Sequence, residues 1–247
     1  MTHRALVTGG GSGIGLAIAT ELARQGIRPI LIGRRLEMLV NARDAIVERG
    51  GQADVLAWDV GQGDDAEALF VQAEADFGPI SSLVHAAGNQ FRCPAAQFPI
   101  EQWDDIVGLH LRAAFLLSQS LGQRLLSRQA KGSILFVGSL TSERLGNPNT
   151  IAYAAAKSGL LGLMRTLAVE WGPNQIRSNA VLVGFVSTDM TLDVDGDPRR
   201  IALTSRTPLG KLGTSGDIGG AAAFLLSDAA SYINGATITV DGGWSVA

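Results

Sequence analysis

The chain is poor in cysteine. Its single thiol, Cys93, excludes an internal disulfide and any cysteine-built metal centre. Histidine is nearly as scarce: His3 and His85 read as structural, neither standing at metal-ligand spacing from another His or from Cys93. No charge of one sign dominates: 20 basic residues face 23 acidic ones, a formal net charge of −3, so a basic face for nucleic acid is not indicated. No run approaches the roughly 18 apolar residues of a membrane span. The opening Met1-Thr-His-Arg-Ala-Leu-Val-Thr-Gly passes straight into a strand pattern, without the charged and apolar regions of a signal peptide. A soluble cytoplasmic protein is the expectation. Linkers rich in Pro, Ser or charge are also lacking, so the 247 residues read as one domain, residues 1–247.

Apolar content is ample at 46%, enough for a sizeable core. The 31 glycines are spread among periodic segments and form no low-complexity tract. Short β-rich runs alternate with helical patterns. Strands are predicted at 5–8, 29–32, 54–58, 82–85, 133–137, 176–183 and 237–240. Helices are predicted at 14–25, 35–49, 64–77, 103–127, 152–171 and 218–226. This alternation implies an α/β fold of the Rossmann type, a doubly wound parallel sheet with helices on both faces. Residues 189–213 break the regularity. Their Asp193-Val-Asp-Gly-Asp-Pro198 core should turn or stay mobile, and a segment of this length often forms a substrate loop or lid.

The first strand ends in Thr8-Gly-Gly-Gly-Ser-Gly-Ile-Gly15, which also opens the first helix. Glycines at such a turn permit unusual backbone angles and close approach of a ligand. The helix N-terminus then offers free N–H groups to a pyrophosphate. Gly9, Ser12, Gly13, Ile14 and Gly15 are therefore candidate cofactor contacts; a plain tight turn is the alternative. The second strand should end near Ile32-Gly-Arg-Arg35. An NAD-selective site usually places a carboxylate here for the ribose 2′-hydroxyl. Gly33 supplies none, and Arg34 carries a guanidinium suited to a 2′-phosphate. NADP is thus favoured over NAD, which stays open because the turn itself holds no basic residue.

Tyr153-Ala-Ala-Ala-Lys157 places a phenol and an ammonium on one helix face. An unperturbed phenol titrates near 10, and a neighbouring ammonium is expected to lower it. Tyr153 then gives a proton to a carbonyl, or takes one from an alcohol. Alone the pair is common by chance. It gains weight from Ser139, at the end of the strand Gly132–Ser139, because ligands of doubly wound sheets sit at the carboxyl ends of strands. Ser142 is a conceivable substitute.

The turn has the TGxxxGxG spacing, and with Ser139, Tyr153 and Lys157 it resembles the short-chain dehydrogenase/reductase family over essentially the whole chain. That resemblance implies a catalytic Ser139, Tyr153 and Lys157, with Tyr153 and Lys157 also contacting the cofactor, Lys157 through the nicotinamide ribose. Asp59-Val60 is similar to the family's adenine-contacting pair. Ala87 and Gly88 lie in His85-Ala-Ala-Gly88, where the family has Asn-Asn-Ala-Gly, so Ala86 departs from it. Val186 and Thr188 fall where the family contacts nicotinamide and phosphates, although Val183 replaces the usual Pro and a looser turn is expected. The family's catalytic Asn aligns with His110. The expectation there is a retained proton relay whose rate carries the imidazole's own ionisation near neutrality; a merely packed His is the alternative.

Arg206-Thr-Pro-Leu-Gly-Lys-Leu-Gly213 and Thr141-Ser-Glu-Arg144 resemble gluconate 5-dehydrogenase-type members, which implies a small sugar acid or polyol as substrate. A 3-oxoacyl-thioester reductase is the runner-up. A weakly catalytic NADP-binding sensor or scaffold is the rival of another class. No metal is expected. A homotetramer is implied by resemblance alone, since the small residues Ala155, Gly159 and Gly162 could pack on the chain's own sheet instead.

Overall fold

The computed structural model describes residues 3–61, 65–187 and 198–247. Seven parallel strands form one sheet: β1 (Arg4–Thr8), β2 (Arg28–Gly33), β3 (Asp54–Ala57), β4 (Ser82–His85), β5 (Gly132–Ser139), β6 (Ile176–Val183) and, last in the chain, Thr237–Val240. Their order is β3-β2-β1-β4-β5-β6 followed by Thr237–Val240. The order reverses between β1 and β4, which opens a crevice beyond the carboxyl ends of those strands.

Alternate side chains explain the two layers. Ala5 and Val7 of β1 face one way and pack with Ile18, Leu22, Leu39, Ile46, Ile218 and Leu225. These come from α1 (Gly13–Arg24), α2 (Leu36–Glu48) and the later helix Ser215–Leu226. Leu6 faces the other way, with Leu69, Phe70, Leu117, Leu121, Leu160 and Met164. Those belong to α3 (Ala66–Phe77), the helix Ala113–Ser127 and the helix Ile151–Trp171. A sheet covered on both faces must have apolar residues at successive positions, and positions 5 to 8 of β1 are all buried.

Two elements differ from expectation. The long helix predicted at 103–127 is α4 (Ile100–Val107), a π turn (Gly108–Arg112) and α5 (Ala113–Ser127). Apolar periodicity runs through all three, so the extra residue in one turn leaves little trace in the pattern. The segment 189–213, expected to be irregular, contains α7 (Pro198–Arg206), following α6 (Ile151–Trp171). Proline suits a first helical turn because its missing N–H has no intrahelical partner there. Residues 193–197 of the expected turn lie outside the described residues. Before and after this segment, β7 (Val186–Ser187) and β8 (Gly213–Thr214) pair in parallel and clasp its base. The helix α8 (Ser215–Leu226) and the strand β9 (Thr237–Val240) complete the chain's regular elements.

Candidate active site

The glycines of the first turn do different things. Gly9 (φ +67°) and Gly13 (φ +54°) occupy the left-handed region, as the sequence led one to expect. Gly15 does not; it is needed for space, since a Cβ there would stand 2.2 Å from the carbonyl oxygen of Gly9. Across the turn, a Cβ on Gly9 would lie 3.1 Å from the backbone of Ala87. Thr8 ties the two segments, its hydroxyl oxygen accepting the N–H groups of Ala86 and Ala87, both at 3.0 Å.

A cleft of about 340 Å³ opens at this point, lined by Gly9, Ser12, Arg34, Asp59, Val60 and Gly88 among others. Ala87 also lines it, so seven of the expected cofactor contacts meet in one place. Asp59 is held by the N–H of Gly61, which it accepts at 3.0 Å. Gly13, Ile14 and Gly15 do not line the cleft; Ile14 packs against the core and Gly15 underlies Gly9. Val186 turns its side chain inward, and Thr188 lies outside the described residues. Met38, Trp58, Asn89 and Leu109, which the sequence did not single out, also line it. Trp58 and Asn89 follow strand ends, Met38 sits in α2 and Leu109 in the π turn, and nothing in the local sequence marks them.

The cleft fits a phosphorylated dinucleotide. A glycine-walled turn at the N-terminus of α1 offers N–H groups at one side, and the Arg34 guanidinium stands at the other with no carboxylate at Gly33. Lacking Pro, the turn after β6 is tied by backbone hydrogen bonds on either side. The N–H of Gly184 donates to Val240 at 3.0 Å, and that of Gly213 to Phe185 at 3.0 Å.

Past the β4 and β5 ends, Ser139, Tyr153, Lys157 and His110 come together. The Ser139 hydroxyl accepts the N–H of Thr141 at 3.3 Å and meets the Tyr153 hydroxyl. Ser142 is no substitute for it: its hydroxyl accepts the Ser139 N–H at 3.1 Å, closing a capping box on the short turn that follows. Lys157 is buried and donates to the carbonyl of Val137 at 2.6 Å. Burial brings its ammonium down to about 7. The Nζ lies 5.6 Å from the centre of the Tyr153 ring. The expected lowering of the phenol pKa is not what the surroundings produce. Burial pushes it up, and the hydroxyl contact with Ser139 opposes this only in part.

His110 sits in the π turn, 1% exposed, edge-on to Tyr153 with ring centres 5.2 Å apart. Its Nε2 lies 2.8 Å from the Asn89 carbonyl and 3.1 Å from the Asn89 N–H. A Cβ on Gly88 would stand 2.5 Å from its Cε1, so the ring needs that glycine. Burial, reinforced by the Lys157 charge, lowers His110 to about 2. It is neutral across the working range, so the expected titration near neutrality does not occur. His85, read from the sequence as structural, is the other histidine of this region. It is fully buried at the end of β4, and burial followed by the Lys157 charge takes it to about 3.

Both histidines have an ordinary value of 6.5. Below that pH the unfolded chain binds protons that the folded chain refuses, so stability falls with falling pH. Each contributes a slope of about 1.4 kcal/mol per pH unit until its folded value is reached. Between pH 7 and pH 5, urea unfolding should show the His110→Asn variant losing about 2 kcal/mol less than the wild type. Equal losses would show that His110 protonates in the folded protein. Among the described residues, no group of three or more His, Cys, Asp or Glu is placed to hold a metal ion. Among them, too, no helix is long and apolar enough to cross a membrane.

A glycine-walled cleft beside a Ser-Tyr-Lys cluster at the strand ends defines a dinucleotide-dependent oxidoreductase site. A family model described as enoyl-(acyl carrier protein) reductase matches residues 9–245. The chain belongs to the short-chain dehydrogenase/reductase family. It is 35% identical to gluconate 5-dehydrogenase of Gluconobacter oxydans over 244 residues, 98% of this chain and 94% of that enzyme. To 5-keto-D-gluconate 5-reductase of Escherichia coli it is 34% identical over 243 residues, 98% and 95% of the two chains. The structure of a gluconate 5-dehydrogenase from Burkholderia cenocepacia, in complex with NADP and tartrate, superposes with a TM-score of 0.92. That chain is 32% identical, with 99% of this chain and 96% of that one covered.

Proposed function

We propose that the protein is an NADP(H)-dependent oxidoreductase that interconverts a keto group and a secondary alcohol on a small sugar acid. The observation that carries this reading is the meeting of Ser139, Tyr153 and Lys157 beside the cleft that ends on Arg34. The relatives named for gluconate and keto-gluconate support the substrate class. When bound, the nicotinamide supplies or takes the hydride. In reduction, the Ser139 hydroxyl holds the carbonyl oxygen and Tyr153 gives that oxygen its proton. Lys157 bonds the ribose and stabilises the phenolate left behind. Oxidation reverses each transfer. His110 serves without titrating: it braces Asn89 and the Tyr153 ring, and keeps the π turn in place for proton supply.

Gly9, Ser12, Gly13, Ile14 and Gly15 build the phosphate turn. Arg34 takes the 2′-phosphate, Asp59 and Val60 flank the adenine, and Ala87, Gly88 and the backbone at Val186 and Thr188 border the nicotinamide half. Residues 1–247 act as one catalytic domain, with 189–213 as the substrate loop. A homotetramer in the cytoplasm completes the reading. Gly159 is already filled by Leu111 of its own chain, but Gly162 is open, and exposed Val169 and Phe115 lie on α6 and α5.

A 3-oxoacyl-thioester reductase is the second reading, supported by the similar structure of a 3-oxoacyl (acyl-carrier-protein) reductase from Agrobacterium tumefaciens with NADP bound, 28% identical with a TM-score of 0.91. Absorbance at the reduced-nicotinamide band, followed with NADPH and NADH against 5-keto-D-gluconate, a neutral ketopolyol and a 3-oxoacyl thioester, separates them. Turnover of the keto acid, faster with NADPH, is expected. Turnover of the thioester alone supports the second reading. Cofactor binding without turnover on any of them, unchanged in Tyr153→Phe, makes the protein a sensor or scaffold.

A further inference from the structure

Arg206 ends α7, inside the proposed substrate loop, and has no part in the chemistry above. Its guanidinium lies over the ring of Trp244, with Cζ 3.9 Å from the ring centre. Trp244 is buried and firmly seated. Phe185 meets it edge to face, ring centres 4.9 Å apart. A Cβ on Gly243 would lie 3.0 Å from the Pro208 ring, so the chain on either side of the stack is packed together. The N–H of Leu209 donates to the Gly242 carbonyl at 3.2 Å and ties the same two segments. The platform and the arginine that rests on it thus form one unit.

Stacking uses the flat face of a guanidinium and leaves the N–H donors along its edge. Among the described residues no hydrogen bond or ion pair takes up those donors, and the side chain is exposed, so an anion can reach it. The carboxylate nearest to Trp244 in the chain is committed elsewhere. One oxygen of Asp241 accepts the Gly243 N–H at 2.9 Å and the other the Ser245 N–H at 2.8 Å. The unit stands on the same sheet edge as the reacting groups. Ser139 pairs in register with Val183, and Val183 with Val240. Phe185 and Trp244 lie just past those last two strand ends. β5 and β9 are two strand spacings apart, about 10 Å. A small sugar acid reaching from Ser139 and an arginine reaching back from Trp244 cover that distance between them.

We propose that Arg206 is the specificity-determining residue that takes the substrate's carboxylate: Trp244 holds the guanidinium by its face, and two edge N–H groups meet the two carboxylate oxygens. This rests on the reading of the substrate as a keto acid whose keto group lies at Ser139 and Tyr153. Planar, paired donors suit a carboxylate in particular. The stack already restricts the side chain, so less rotamer freedom is lost when the acid binds. A neutral ketose gains nothing from the site.

Oxidised cofactor and a keto acid cannot react, so calorimetric titration into the NADP⁺-loaded protein reads binding without turnover. The probes are 5-keto-D-gluconate and L-sorbose, the neutral ketose with CH2OH in place of the carboxylate. The wild type should bind the acid more tightly than L-sorbose. Arg206→Gln should weaken the acid about 20-fold, the scale of a lost charge-assisted contact, and leave L-sorbose within about twofold. Arg206→Lys should recover only part of the loss, because an ammonium keeps the charge without the planar fork. The idea is overturned if Arg206→Gln binds the acid as the wild type does, if it loses both probes alike, or if the wild type shows no preference for the acid. Arg206-dependent binding of an acid that NADPH does not reduce would keep the carboxylate site and remove the substrate reading. Reduction of the keto acid with an unchanged KM in Arg206→Gln would do the reverse.

Discussion

Replacing Tyr153 with Phe is expected to lower turnover by about 10³-fold, within the 10²–10⁴ range of a lost general acid. The ring itself should stay where it is. It is wedged edge-on against His110 and below the Lys157 ammonium, and neither contact needs the hydroxyl. Removing the hydroxyl leaves Ser139 still accepting the Thr141 N–H. The binding cleft does not include Tyr153 among its walls, so NADPH affinity should change by less than about threefold, under 0.7 kcal/mol. Single-turnover absorbance measures the first quantity and nicotinamide fluorescence titration the second. A rate loss below about tenfold would move the proton donor to another group. The pH profile has a defined sense as well. Burial raises the phenol pKa, so the proton needed for ketone reduction is present through the neutral range. Reduction should therefore decline only toward alkaline pH, and the decline should vanish in Tyr153→Phe.

The other large effect belongs to a residue that touches no substrate. Gly15→Ala adds one methyl group 2.2 Å from the Gly9 carbonyl oxygen and 2.7 Å from its carbon. Both neighbours are backbone, so no side chain can turn aside. Either α1 backs away from the turn or the turn opens, and overpacking of this kind costs about 1–3 kcal/mol. The same shift misplaces the N–H groups at the start of α1. NADPH affinity should fall by at least about 100-fold, equivalent to 2.7 kcal/mol. Gly13→Ala is the informative contrast. Nothing lies within 4 Å of a Cβ there, and the strain comes only from φ +54°. It should cost about 1–2 kcal/mol of stability and far less affinity. Denaturant unfolding together with cofactor titration of both variants checks this. Similar affinity losses in the two would mean that backbone angle, not space, governs the turn.

Much of the site was legible because its signals are local. The glycine turn announces itself by spacing at a strand-to-helix junction, and Arg34 by its place just past β2. Tyr153 and Lys157 share a helix face through a four-residue interval that any helix would impose. The Gly15 requirement was read correctly as a glycine and for a different reason than the true one. Backbone angle is a property of the residue, whereas the clash with Gly9 exists only once the turn has closed.

The failures have a common origin as well. His110 looked titratable because an isolated imidazole is; only burial and the Lys157 charge hold it neutral. The phenol of Tyr153 was expected to fall by proximity to an ammonium, but desolvation opposes any nearby charge and cannot be seen along a helix. α7 was hidden in a segment whose acidic and glycine-containing start dominated its composition.

The sequence by itself determined the family, the alternation of strands and helices, the glycine turn and the candidate set Ser139, Tyr153 and Lys157, since each rests on spacing within one or two elements. Tertiary structure alone decided which of those groups are desolvated, which side chains meet at the strand ends, and which glycine is filled by backbone. These depend on atoms brought together from positions 8, 85, 110, 139 and 157, and no local pattern carries the distance or the dielectric between them.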